Sequence, residues 1–452
     1  MSSEATVDRS RPPRPETPRE LELPPVERFR LSSGVRVWVL ERPRLPEVSV
    51  RLAIDAGAAS EAADRSGVAE LTGRLLTEGA DGRSAMEVAE WLDRLGAGFS
   101  AGVTYDAAVV SMHLLEDTLE ESLDFLRAVV RDPAFEPDEV ERIRDERLDE
   151  IERDRDEPDT VAEETLIASV YGSHPYGRPS DGLKPTVEAL DADAVRSFHR
   201  RRYGADGAAL AVCGDVDARR VRRLLEERFG DWGRGEGAED PPETPDRPVA
   251  AGDTVLVDRP GSAQSEIRIG GVGAPRSTAD YFPLRVMNAV LGGLFNSRVN
   301  MNLREEKGWT YGARTLFRHR RGAGPFVASA AVETGVTADA LREMEEEMRG
   351  MSERPPEGDE LELAKNNLTL SLPRKFETPS QVSRRMITQL LYGLEEDYWE
   401  RYRERVEAVT RDQVAEVAER YLDPDRMVRV AVSDASEVRE DLEELGQLEL
   451  RD

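Results

Sequence analysis

The sequence predicts an α+β protein built from two tandem homologous domains, each a mostly antiparallel sheet packed with helices. Three observations carry that prediction. The 452 residues exceed the length at which a single hydrophobic core stops growing. Gly233 to Gly252 combines Gly, Pro and acid with almost no apolar residue, which marks a linker between two nearly equal parts. The two parts then repeat one order of apolar patterns, the mark of an internal duplication.

Val35–Leu40 and Val48–Gly57 read as a hairpin-like pair of strands, and Thr254–Val257 with Glu266–Gly271 repeats the pair. A helical stretch follows in each half, Val68–Leu76 and Tyr281–Leu291, and then a strand, Ala107–Leu115 and Phe326–Val332. Charged helices come next. Leu119–Val130 stops before Asp132-Pro133, and a helix from Pro137 through Arg153 carries apolar spacing at Val140, Ile143, Leu148 and Ile151. Thr337–Met351 and a helix from Gly358 onward answer them. Each half closes on helix, strand, helix: Ala192–Tyr203, Ala208–Cys213 and Ala218–Phe229, then Arg411–Tyr421, Met427–Val432 and Ala435–Leu445. The plan is a disordered tail over 1–25, a domain over 26–232, a linker over 233–252 and a second domain over 253–447.

Net charge is −29, from 91 acidic and 62 basic residues, which excludes a general nucleic-acid role because phosphate neutralisation needs a basic face. No apolar run is long enough to span a bilayer, so membrane insertion is not expected. The one cysteine, Cys213, sits at the end of an apolar run and reads as a small core residue. Residues 1–25 lack an apolar signal segment, and a cytoplasmic location is expected.

The most informative stretch is Leu303-Arg304-Glu305-Glu306-Lys307-Gly308-Trp309-Thr310-Tyr311. A helix end followed by a Gly turn sets a guanidinium and a phenol seven residues apart, within reach of one oxyanion. Both groups suit an oxyanion, since a guanidinium is permanently charged and a phenol is a neutral donor. The competing reading is that Arg304 pairs with a nearby acid and Tyr311 fills a core edge. Gly292-Gly293 lacks the pattern of a phosphate loop, so a helix break or close packing is preferred there.

Several segments together resemble the pitrilysin/insulinase family of zinc peptidases, in the short two-domain branch that includes the mitochondrial processing peptidase subunits. The resemblance covers roughly residues 28–445. It rests on His174-Pro175-Tyr176-Gly177-Arg178-Pro179, on the run Phe198 to Asp217, and on Arg304 to Tyr311 preceded by Leu294-Phe295-Asn296-Ser297-Arg298. It implies a processing-peptidase-like fold. Catalytic members carry H-x-x-E-H on the first helix, with two histidines for zinc and a glutamate as base. Registered on Gly67-Val68-Ala69, this chain has Glu70, Gly73 and Arg74 at those positions, so no metal is expected here. Glu146, Asp149 and Glu150 are candidates for the downstream acidic ligand. His113, His174, His199 and His319 are isolated in sequence and do not rebuild a site.

By the same resemblance, Arg304 and Tyr311 would serve the zinc site of a facing chain. The expected function is therefore a non-catalytic, substrate-binding subunit of a heterodimeric zinc metallopeptidase, inactive alone. A homologous catalytic subunit with H-x-x-E-H would carry the zinc, and extended peptides would be the substrates. The alternative is a structural or assembly protein derived from the same fold. A lone peptidase with an altered metal site is disfavoured by Gly73 and Arg74.

Overall fold

The computed structural model describes residues 23–236, 243–245, 248 and 250–451, so nearly all of the expected tail and much of the expected linker lie outside the described residues. Two six-stranded sheets form the framework. The first holds β1 (Val26–Arg30), β2 (Arg36–Glu41), β3 (Glu47–Ile54), β4 (Gly98–Val103), β5 (Ala108–Leu115) and β6 (Ala209–Gly214), in the order β1-β2-β6-β3-β5-β4. The second holds β7 (Thr254–Asp258), β8 (Gln264–Val272), β9 (Thr310–Phe317), β10 (Pro325–Glu333), β11 (Val428–Ser433) and β12 (Leu448–Arg451), in the order β12-β7-β11-β8-β10-β9. Five positions of the two sheets correspond one to one, as duplication requires. The sixth does not: the first sheet ends on an N-terminal strand, the second on a C-terminal one.

The hairpin-like pairs expected at the start of each half do not form. β6 lies between β2 and β3, parallel to the former and antiparallel to the latter, and β11 lies likewise between β7 and β8. The reason is in the closing strands themselves. Every residue of β6 and β11 is buried, and only a central slot covered on both faces buries such a strand.

The α-helices of seven or more residues in the first half are α1 (Val68–Arg74), α2 (Ala85–Leu95), α3 (Leu119–Arg131), α4 (Pro137–Asp154), α5 (Pro158–Tyr171), α6 (Ala192–Arg202) and α7 (Ala218–Phe229). Those of the second are α8 (Tyr281–Asn288), α9 (Thr337–Glu353), α10 (Gly358–Leu370), α11 (Pro379–Leu391), α12 (Arg411–Tyr421) and α13 (Ala435–Glu443). Starts follow capping rules: Ser84, Thr378 and Thr410 each close a capping box, and Pro opens α4, α5 and α11.

Two helices cross over. α5 packs on β8 and β11 of the second sheet, while α11 packs on β3 and β6 of the first. Ala162, Leu166, Ile167 and Val170 of α5 share a core with Val255, Val327, Val428 and Val430. Val382, Met386, Ile387 and Leu390 of α11 share one with Leu40, Ala53, Ala211 and Cys213. Gly270 is required by this contact, because a Cβ there would lie 2.7 Å from a Leu166 methyl and 2.8 Å from the Phe326 carbonyl oxygen.

Polar ties reinforce the exchange. Buried Asp106, in the β4–β5 turn, accepts from the hydroxyls of Tyr176 (3.1 Å) and Tyr392 (2.9 Å) and from the Arg321 amide (3.0 Å). The Arg320 guanidinium lies 3.5 Å above the Tyr105 ring and 4.5 Å from that of Tyr176. These contacts tie the two halves together. Leu166→Ala removes a fully buried side chain at the exchange and should lower the unfolding free energy by about 2–5 kcal/mol. Urea denaturation followed by Trp fluorescence and circular dichroism should give one coincident transition; two separated transitions would show that the exchanged helices do not couple the halves.

Candidate functional site

The α1 helix starts at Gly67, whose φ of 98° is open to glycine, and its first amides are held by the buried Glu61 carboxylate, which accepts from Gly67 N (3.1 Å) and Ala69 N (2.7 Å). Burial pushes the Glu61 carboxyl up to about 8, with the two backbone donors pulling the other way.

One turn on, Arg74 joins two helices. Its Nε donates to Glu70 Oε1 at 2.8 Å, and its two terminal nitrogens reach the Glu150 carboxylate of α4 at 3.0 and 2.8 Å. Arg147, itself buried, holds Glu150 from the other side at 2.8 Å. Hydrogen bonding to Arg74 first, then to Arg147, brings the Glu150 carboxyl down to about 2, and hydrogen bonding to Glu150 raises the Arg74 guanidinium. Of the three candidate downstream acids only Glu150 joins this group. Glu146 pairs with Arg142 at 2.8 Å, and Asp149 is exposed.

A zinc ion, which the fold resemblance implies, does not fit these residues. The guanidinium already lies between the two carboxylates, so a cation there would meet a fixed like charge. Gly73 offers no base, and a Cβ at Gly73 would lie 3.2 Å from a Val103 methyl. Among the described residues no group of three His, Cys, Asp or Glu side chains has metal-holding geometry.

The histidines are used separately. His113 is half exposed on β5 beside Glu47 (3.3 Å), and the His174 ring nitrogen accepts from the Tyr176 amide (3.0 Å). His199 meets the Val130 carbonyl at 2.9 Å and His319 the Ala274 carbonyl at 3.1 Å, and burial lowers both rings to about 4. Cys213 is fully buried in β6, as a small core residue.

In the second half Arg304 lies in π-turns, Met301–Glu306, that continue the short helix Arg298–Asn300. Gly308, at φ 69°, reverses the chain, and the Trp309 amide returns to the Leu303 carbonyl at 2.9 Å. The Asn300 carboxamide fastens the helix to β9, accepting from the Ala313 amide at 3.1 Å. Arg304 and Tyr311 therefore flank one reversal on a pinned frame. The Arg304 guanidinium stacks 4.5 Å from the Phe295 ring, and its nearest carboxylate, Glu305, is 3.7 Å away. Tyr311 is 91% exposed, so it fills no core edge. Trp309, by contrast, packs partly against the core under the Lys307 ammonium, 4.8 Å from its ring. Gly292 is a close-packing glycine: a Cβ there would lie 2.5 Å from the Thr315 amide.

Comparison with known proteins places this architecture. The model of the insulinase family, peptidase family M16, matches residues 36–182, and the model described as the peptidase M16 inactive domain matches residues 189–368. The chain belongs to the M16 insulinase family. An uncharacterized zinc protease of Mycobacterium leprae is 28% identical over 397 residues, 87% of this chain and 89% of that protein. One of Bacillus subtilis is 23% identical, covering 81% of this chain and 89% of its own. The crystal structure of a peptidase M16 inactive domain from Pseudomonas fluorescens superposes with a TM-score of 0.85 at 25% identity, covering 90% of this chain and 98% of that one. A Helicobacter pylori protease matches with the same TM-score at 18% identity, covering 91% of this chain and 100% of that one.

Within this M16 chain, sequence reasoning missed Glu61, which holds α1, and the reason for His174-Pro175-Tyr176-Gly177, which delivers the Tyr176 hydroxyl to Asp106. The Arg74 bridge generates a pH test. A depressed carboxyl adds stability that is present above its ordinary value of 4.5 and lost as pH falls through about 2. The stability advantage of wild type over Arg74→Ala should therefore be full near neutrality and shrink by about pH 3 in urea unfolding. An advantage unchanged by acid would show that Arg74 does not hold Glu150 ionised.

Proposed function

We propose that this chain is the non-catalytic, substrate-binding and transition-state-stabilising subunit of a heterodimeric zinc metallopeptidase that processes or degrades unfolded peptides. A homologous chain with H-x-x-E-H supplies the metal and the base. The carrying observation is Tyr311: a phenol 91% exposed, at the far side of the pinned reversal that Arg304 precedes, with no packing role. A phenol exposed to that degree, across a turn from the residue that carries the guanidinium, is free to donate to a group outside the chain.

In this reading the Tyr311 hydroxyl and the Arg304 guanidinium donate hydrogen bonds to the oxygen of the scissile carbonyl as it takes on negative charge. The peptide is held extended by adding to a sheet edge. β4 suits that role, since among the described residues its one strand partner is β5. The β9 edge is less free, because Asn288 and Asn300 take up its Thr315 carbonyl and Ala313 amide. No helix among the described residues is long and apolar enough to cross a membrane, which agrees with a peptide-binding chain outside the bilayer.

In the reconstituted pair, Arg304→Ala and Tyr311→Phe should each lower steady-state turnover roughly 10- to 1,000-fold, the range for removing one oxyanion donor. Size-exclusion should show the heterodimer intact. Tyr311→Phe deletes one hydroxyl from an exposed ring, so no packing loss can account for the effect. Wild-type rates in both variants, with assembly intact, would favour the structural or assembly role instead.

A further inference from the structure

The α5 helix covers only part of its face of the second sheet. Beside it, toward β10 and β9, lies a cavity of about 520 Å³. Its wall carries the cations Arg268, Arg285, Arg314, Arg318 and Lys375 against the carboxylates Asp159 and Glu163, a net of +3 in a chain of net −29. The carboxylates are already committed, Asp159 to Arg268 and Glu163 to Arg318. Arg285, Arg314 and Lys375 form no ion pair with any described residue. The Arg285 Nε is buried without a hydrogen-bond partner while the rest of its guanidinium meets the Tyr402 hydroxyl, and Arg314 Nε meets the Ser329 hydroxyl at 3.2 Å. Burial lowers the Lys375 ammonium, and neighbouring Arg285, Arg385 and Arg374 lower it further. Gathering like charges in a partly desolvated wall costs free energy that a bound anion returns.

The location is informative. The cavity lies between α8, with its Ala289–Gly293 continuation, and α10, as the Arg74 bridge lies between α1 and α4. By chain order these are equivalent places in the two halves. In the first an arginine from one helix and a glutamate from the other close the gap; in the second the gap is open and basic. It also adjoins the Arg304–Tyr311 corner. Leu294 lines it next to Phe295, and Arg314 stands three residues along β9 from Tyr311, roughly 10 Å at strand rise.

We propose that this cavity receives a carboxylate of a bound peptide, from either its C-terminus or an acidic side chain, with Lys375, Arg314 and Arg285 as its partners. The inference rests on the peptide-binding reading above and adds a charge preference to it. That preference is opposite to what the acidic surface alone suggests.

The test uses the full chain without any catalytic partner. Fluorescence anisotropy compares a labelled unfolded peptide bearing a free C-terminus and one internal Glu with its C-terminal amide, its Glu→Gln form and the doubly neutral form. Wild type should prefer the fully charged peptide over the doubly neutral one by about 10- to 100-fold, the worth of one charge-assisted hydrogen bond. Lys375→Gln and Arg314→Gln should each remove most of that preference, Lys375→Arg should retain it, and Arg219→Gln, an exposed cation on α7, should leave it unchanged. Which singly neutral peptide loses affinity identifies the source of the carboxylate. Equal binding of charged and neutral peptides, or a preference that survives both cavity variants, would overturn the inference. Displacement of charged and neutral peptides alike by inorganic phosphate would overturn it too, as general anion binding. The outcomes separate from those of the proposed function: charge-selective binding with no turnover loss in Tyr311→Phe sinks only the catalytic reading.

Discussion

The exchange of α5 and α11 between the halves is the contact on which the rest of the molecule depends. Each sheet has one face buried by its own helices and the other by a helix from the opposite half, so neither half completes a core alone. The exchange is also symmetric in detail. Arg51 on β3 pairs across the sheet with Ala211 and Ser111, and Arg268 on β8 pairs with Val430 and Ser329, the equivalent positions. Each arginine then reaches the first turn of the crossing helix: Arg51 to Ser380 at 3.2 Å, Arg268 to Asp159. One anchoring arginine per sheet fixes the crossing helix, and the crossing helix fixes how far the basic cavity is covered.

Duplication gave the chain two copies of one gap between neighbouring helices, and the copies have diverged by charge. In the first half Arg74 pairs with both Glu70 and Glu150, Arg147 supplies the second cation to Glu150, and the Arg74 guanidinium stands where zinc chemistry would need a cation with open coordination. In the second half the carboxylates are tied to Arg268 and Arg318, and Arg285, Arg314 and Lys375 are left without carboxylate partners among the described residues. A chain of net −29 has ample acid with which to neutralise such a cluster, so the concentration of unpaired positive charge in one cavity is a local feature and not a consequence of composition.

Periodicity made the two-domain α+β plan legible, because helices such as α3 and α7 bury one face and strands such as β5 alternate. The hairpin reading failed because local spacing says nothing about which strand enters between two others; the apolar runs Ala208–Cys213 and Met427–Val432, the latter broken only by Arg429, carried that information. The crossing helices were not legible at all. Buried residues of α5 such as Ala162, Ser169 and Tyr171 give no clean stripe when a helix is enclosed by a sheet on one side and its own half on the other. At the site, the obstruction by Arg74 followed from residue type, whereas the choice of Glu150 over Glu146 and Asp149 depended on how α4 is rotated against α1. The exposure of Tyr311 was likewise a three-dimensional fact: its neighbours Trp309 and Ala313 are drawn toward the core, and only the structure separates them from the phenol between.

The central claim is that the first half has replaced metal chemistry with an arginine bridge, leaving this chain to act through its second half. Elemental mass spectrometry of the purified chain, after incubation with excess zinc and desalting, tests it most directly. The account predicts no stoichiometric zinc and no chelator-sensitive hydrolysis of a fluorogenic peptide by the chain alone. Tightly held stoichiometric zinc, lost together with hydrolysis on chelation, would contradict it.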